Sequence, residues 1–85
     1  MVSPKMRSIG PITPNKITLE YSYWFKPSRQ KTFELRSNGF WYDGNLPADI
    51  ESLAFIRKEM SRYAEYLSQL KQVNRHLTSL QREHN

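Results

Sequence analysis

The chain contains no cysteine, so it has neither a disulfide framework nor a thiolate zinc site. It also lacks any apolar run that approaches the roughly 20 residues needed to span a bilayer. The opening segment, MVSPKMRSIGPITP, has no apolar h-region of a secretory signal. These absences predict a cytoplasmic protein without membrane association.

Motifs that support catalysis are missing as well. The sequence has three isolated glycines and two histidines, with no H-E-x-x-H, no Gly-rich phosphate loop and no G-x-S-x-G. His76 lies at a predicted exposed helical position, and His84 is one residue from the end. We therefore expect no enzymatic activity, no metal site and no cofactor.

Eighty-five residues form a thin hydrophobic core, and association of chains often supplies the missing burial. Of the net charge of +5, residues 1–46 contribute +4, from seven basic and three acidic residues. Residues 47–85 contribute the remaining +1, from six basic and five acidic residues. We expect residues 1–15 to be a flexible tail and residues 16–85 to be one domain.

The predicted fold is α+β, with a three-stranded antiparallel meander before one long helix. Asn38-Gly39 separates two aromatic runs, which is typical of a hairpin with a type I′ turn. Upstream, KITLEYSYWF alternates as a strand should, and KPSRQ has the composition of a turn.

These turns fix the pairing register of the strands, and the register decides which residues lie on each face of the sheet. The two-residue loop pairs Arg36 with Trp41 and Leu35 with Tyr42, while Phe25 pairs with Lys31. One face is then apolar: Ile17, Leu19, Tyr21, Tyr23, Phe25, Phe33, Leu35, Phe40 and Tyr42. The other face is mixed, with Arg36 between Glu20 and Trp41: Thr18, Glu20, Ser22, Trp24, Thr32, Glu34, Arg36 and Trp41.

The helix is expected to begin at Pro47 and to continue to about Arg82, since no glycine or proline follows. Such a helix is roughly 50 Å long and overhangs its sheet. Its a and d positions form a heptad seam, whose later members are predicted to form a coiled-coil homodimer: Met60, Tyr63, Leu67, Leu70, Asn74 and Leu77. Tyr66, Val73 and Leu80 form a flanking stripe. The simpler reading, in which the apolar stripe only covers the sheet, is expected to hold as far as Tyr63.

The predicted function is that of a small regulatory binding protein. Cationic side chains neutralise phosphates and aromatic rings stack on bases, so the second sheet face suits nucleic acid. The residues assigned to this surface are Trp24, Lys26, Arg29, Lys31, Arg36 and Trp41. The alternative is an adaptor or inhibitor, such as a phage or mobile-element regulator, that holds a protein partner. In the simplest reading, the face is solvated and its aromatics only shield the sheet.

Overall fold

A computed structural model of the chain describes residues 4–84, which form an antiparallel sheet and two helices. The elements in chain order are β1 (Lys5–Thr13), β2 (Lys16–Ser22), β3 (Arg29–Leu35), β4 (Trp41–Asp43), β5 (Leu46–Pro47), α1 (Ile50–Met60), a 3-10 turn (Ala64–Tyr66) and α2 (Leu67–His84). The strands lie in the sheet in sequence order. The α+β prediction is confirmed, but the described residues form five strands rather than three and two helices rather than one.

β1 lies where the sequence suggested a flexible tail. It pairs antiparallel with β2, and Met6 and Ser8 lie opposite the buried residues Tyr21 and Leu19. The pairing becomes irregular between Ile9 and Thr13, where GPI interrupts the ladder. Glycine and proline are typical of loops, but here a bulge accommodates them at the end of a strand.

The pairing of β2 with β3 preserves the predicted apolar face but shifts its register. Ile17 lies opposite Phe33, and Tyr21 lies opposite Arg29, six positions from the predicted Leu35. An even shift leaves each side chain on its predicted face because strand side chains alternate with a period of two. Ile17, Leu19, Tyr21 and Phe33 are accordingly buried. The shift also ends β2 at Ser22 and lengthens the loop that follows it.

The hairpin between β3 and β4 differs from the prediction by one residue. Unlike an even shift, this odd shift exchanges the faces on which the side chains lie. Leu35 pairs with Trp41, and the turn is closed by a bond from Gly39 N–H to the Arg36 carbonyl. Gly39 has a φ of +87°, whereas Asn38 has a negative φ, so the type I′ assignment is wrong. A three-residue loop with a glycine bulge replaces it. Trp41 therefore points to the opposite face and is fully buried.

The predicted single helix is divided. The Asp49 carboxylate caps α1 by accepting a bond from the Ser52 N–H, at 2.8 Å. α1 ends at Met60, and the Ser61 hydroxyl donates to the Lys58 carbonyl at 2.7 Å, which satisfies a free carbonyl of the last turn. No helix among the described residues combines the length and the apolar character needed to cross a membrane.

The two helices pack against the same core, so the expected continuous heptad seam is interrupted. Met60 and Leu77 are buried within this chain, while Tyr63 and Leu67 are 41% and 56% exposed. The inward-packing face of α2, extended by Tyr66 of the 3-10 turn, combines the predicted flanking stripe with two d positions: Tyr66, Leu70, Val73, Leu77 and Leu80. α2 folds back onto the core and supplies the burial that was predicted to come from a second chain.

Candidate functional site

Three consecutive aromatic residues form the end of the molecule between β2 and β3. Trp24 is 84% exposed and Phe25 is 54% exposed, while Tyr23 is half-buried. The Phe25 ring meets the Trp24 ring edge-on at 5.5 Å and the Tyr23 ring at 5.7 Å between centroids. Edge-to-face contacts of this kind are favourable and hold the rings together. Large aromatic rings in contact with solvent are therefore presented side by side.

Cationic groups surround these rings. The Lys26 ammonium lies 4.3 Å from the centroid of the Tyr23 ring and 5.5 Å from that of Phe25, within the range of cation–π attraction. Arg29 begins β3 with an exposed side chain. No acidic residue occurs between positions 21 and 33. We call Tyr23, Trp24, Phe25, Lys26 and Arg29 the aromatic–basic tip.

A cleft of about 150 Å³ adjoins this tip, between the sheet and the beginning of α1. Its lining is electrostatically mixed, because Arg29 and Lys31 lie across it from Asp49 and Glu51. The cleft therefore has no strong preference for an anion, and the cationic character belongs to the outer surface of the tip.

The floor of the cleft is built around Tyr21. Its hydroxyl shares a 2.6 Å hydrogen bond with the buried Ser52 hydroxyl, and the Lys31 ammonium lies 5.4 Å from its ring centroid. Burial raises the pKa of the Tyr21 phenol. The phenol is thus neutral at physiological pH and serves as a packed hydrogen-bonding group at the end of the core.

Of the six residues predicted to bind nucleic acid, four lie at this end of the sheet: Trp24, Lys26, Arg29 and Lys31. Arg36 follows the opposite end of β3, roughly 20 Å away for a strand of this length. Its guanidinium donates to the Gly44 carbonyl and lies 5.2 Å from the Tyr42 ring centroid. The predicted pairing of Arg36 with Glu20 does not occur, since Glu20 accepts from Arg7 at 2.8 Å.

Trp41 cannot belong to a surface, because it is fully buried in the core. The prediction that placed it beside Arg36 is wrong, because the hairpin pairs Trp41 with Leu35 instead. The structure therefore does not bring together Trp24, Arg36 and Trp41, on which the predicted sheet-face site depended.

Tyr23 and Phe25 were predicted to lie on the apolar face, but β2 ends at Ser22, which leaves Tyr23 half-buried and Phe25 54% exposed. Strand alternation predicts exposure of Trp24 alone, so it gives no signal that Phe25 reaches the surface. Lys5, assigned to the tail, also lies at this end, since it pairs with Ser22.

The predicted oligomerisation residues differ in burial and do not form one surface. Met60 and Leu77 are buried, Leu70 is half-buried, and Asn74 lies on the exposed side of α2. His76, expected to be exposed, is 1% accessible. The chain matches no protein-family model, no curated protein and no solved structure.

Proposed function

We propose that this chain is a non-catalytic binding module whose aromatic–basic tip holds a single-stranded nucleic acid. The observation that carries the proposal is the exposure of Trp24 and Phe25 in mutual contact and beside Lys26. Large rings in this setting are costly to leave in water and are typical of interaction sites.

The chemistry of a single strand fits this surface in two ways. Unpaired bases present flat π faces, and stacking on an aromatic side chain contributes about 1–3 kcal/mol per base without selecting a sequence. The phosphates between the bases require cations, which Lys26 and Arg29 provide. Stacking and charge neutralisation thus act within one loop. A duplex, whose bases are already stacked, would use only the second.

A regulatory protein–protein contact is the second candidate function. The observation that favours it is the mixed cleft, where Asp49 and Glu51 face Arg29 and Lys31 beside the exposed rings. Tryptophan anchors within a polar rim are frequent at protein interfaces. An adaptor or inhibitor would use Trp24 as its anchor and the cleft as its rim.

The proposal includes self-association that is weaker than the predicted coiled coil. The residues available for it are the exposed side chains where α2 begins, Tyr63 and Leu67. Two exposed residues do not make a continuous seam, so we expect at most a weak homodimer.

The experiment that tests nucleic-acid binding is a titration of labelled single-stranded and double-stranded oligonucleotides at several salt concentrations. Affinity should fall with salt with a slope of about 0.7 for each phosphate neutralised on a single strand. Lys26→Gln and Arg29→Gln should each reduce that slope.

Arg36→Gln is the matched control, because it removes the same charge at the other end of β3. It should leave the slope close to that of the wild type. Binding no tighter than about 10⁻⁴ M near physiological salt, the level of nonspecific attraction, would contradict the proposal. Equal effects of Arg36→Gln and Lys26→Gln would assign binding to net charge rather than to the tip.

A further inference from the structure

β1 is an edge strand whose outer side is open. It pairs with β2 on one side, and within residues 4–84 no strand pairs with the other. An exposed edge presents unpaired backbone groups, which can template the addition of a further strand. The regular part of this edge is Lys5 to Ile9, since the register becomes irregular beyond it.

The backbone groups that point outward can be identified from the strand pairing. The Leu35 N–H donates to the Asn15 carbonyl at 2.9 Å, so residue 15 and every second residue along β2 face β3. The residues between them face β1 and bond to their partners there, Lys5, Arg7 and Ile9. Met6 and Ser8 consequently direct their N–H and C=O groups away from the sheet.

Guanidinium groups flank this edge on both faces of the sheet. Arg7 lies on the open face, where it contacts Glu20 at 2.8 Å. On the helical face, the Ser8 hydroxyl donates to Glu59 at 3.1 Å, and Arg62 contacts the same carboxylate at 3.5 Å. Both arginine side chains are 69% exposed and keep further donors free for an added ligand.

We propose that the edge from Lys5 to Ile9 binds an extended acidic segment of another protein as an additional strand. The Met6 and Ser8 backbone would form the ladder hydrogen bonds, and carboxylates of the segment would meet Arg7 and Arg62. A second copy of this chain is disfavoured, because antiparallel pairing of two such edges brings their guanidiniums together.

The test uses the full-length protein and a short fluorescent peptide in which two glutamates alternate with two valines, so that carboxylates project from both faces of the added strand. Anisotropy should show saturable binding that weakens several-fold in Arg62→Gln and is unchanged in Arg82→Gln, a charge-matched control at the far end of α2. The same peptide with lysine in place of each glutamate should not bind. Hydrogen exchange of the Met6 and Ser8 amides should slow when the acidic peptide is added.

A second peptide separates strand addition from simple charge attraction. N-methylation of every amide preserves the charge and removes all backbone donors, so it should abolish binding. Equal binding of the methylated peptide would overturn the proposal. So would exchange protection of Met6 and Ser8 that grows with protein concentration in the absence of peptide, which would identify a second copy as the occupant.

This inference is independent of the aromatic–basic tip. Trp24→Ala should leave binding of the acidic peptide unchanged, whether or not the tip binds nucleic acid. Loss of peptide binding in Trp24→Ala would assign the peptide to the tip and contradict the edge assignment.

Discussion

The backbone N–H of Trp41 donates a hydrogen bond of 3.1 Å to Nδ1 of His76. Phe40 stacks on the same imidazole, with ring centroids 4.3 Å apart and planes within 4°. An accepting Nδ1 requires a neutral ring whose proton is on Nε2. The histidine on α2 therefore anchors the first residue of β4 and ties the helix to the sheet.

This arrangement predicts a loss of stability in weak acid. Burial lowers the pKa of His76 from its ordinary value of 6.5, opposed by the Glu83 carboxylate. Between the two pKa values the unfolded chain binds more protons than the folded one, so stability falls as pH decreases. The contribution is complete above about pH 6.5 and declines below it. Urea unfolding at pH 7.5 and at about pH 5.5 should show the decrease.

His76→Asn supplies the control, since the amide oxygen can accept the Trp41 bond without titrating. The variant should be less stable at pH 7.5, because it loses the stacked ring. Its unfolding free energy should change less than that of the wild type over the same pH interval. An equal change in both proteins would assign the acid sensitivity to other groups.

The burial of Trp41 also shows where sequence reasoning stops. Alternation in β2 and β3 identifies Ile17, Leu19 and Phe33 as core residues, and an even register error does not alter that result. Asn38-Gly39, however, is compatible with both a two-residue and a three-residue loop. The two differ by one position, which is enough to exchange the faces of Trp41 and its neighbours.

The division of the helix was not predictable for a different reason. No glycine or proline occurs at the break, and Leu70 and Leu77 belong both to the heptad seam and to the face that α2 buries. Local pattern cannot distinguish a helix that continues toward a second chain from one that folds back onto its own sheet. That choice depends on tertiary burial, to which Val73 and His76 contribute.

Gly39 should be the least replaceable glycine of the β hairpins. It has a φ of +87°, and a Cβ built on it would lie 2.6 Å from Oε1 of Gln72. Gly44 also has a positive φ, of +62°, but has no atom within 4 Å of that position. Gly44→Ala should therefore cost about 1–2 kcal/mol through strain alone, and Gly39→Ala should cost slightly more, because the flexible end of the Gln72 side chain must also move aside.

Chemical denaturation of the two variants measures the difference. Adding Gln72→Ala to Gly39→Ala should recover part of the loss, because it removes the obstructing side chain. Equal costs for the two single glycine variants, with no recovery, would mean that the close approach to α2 has no energetic consequence.

Leu67 and Leu77 separate intrachain packing from the coiled-coil prediction. Leu77 is 4% exposed and Leu67 is 56% exposed. Leu77→Ala should cost about 2–5 kcal/mol, whereas Leu67→Ala should change the unfolding free energy by about 0.5 kcal/mol or less. A continuous seam would instead make the two substitutions comparable, and their effect would depend on protein concentration.

Sedimentation of the wild type and of Leu67→Asp tests for the proposed weak homodimer. If Tyr63 and Leu67 form a weak dimer contact, the wild type should show a concentration-dependent mass that the variant lacks. A monomeric wild type at high micromolar concentration would remove self-association from the proposed function.

The two tryptophans give a direct optical test of the tip. Trp24 is 84% exposed and Trp41 is fully buried, so their fluorescence should respond differently to a ligand at the surface. A single-stranded oligonucleotide that stacks on the tip should quench the emission of the wild type.

Trp24→Ala should abolish that quenching and weaken binding by about 1–3 kcal/mol, while leaving the midpoint of unfolding nearly unchanged. Trp41→Ala should instead cost about 3–5 kcal/mol of stability through the cavity that it creates. Quenching that persists in Trp24→Ala would place the bound strand away from the tip, and binding unchanged by the loss of Trp24 would favour the protein-partner function.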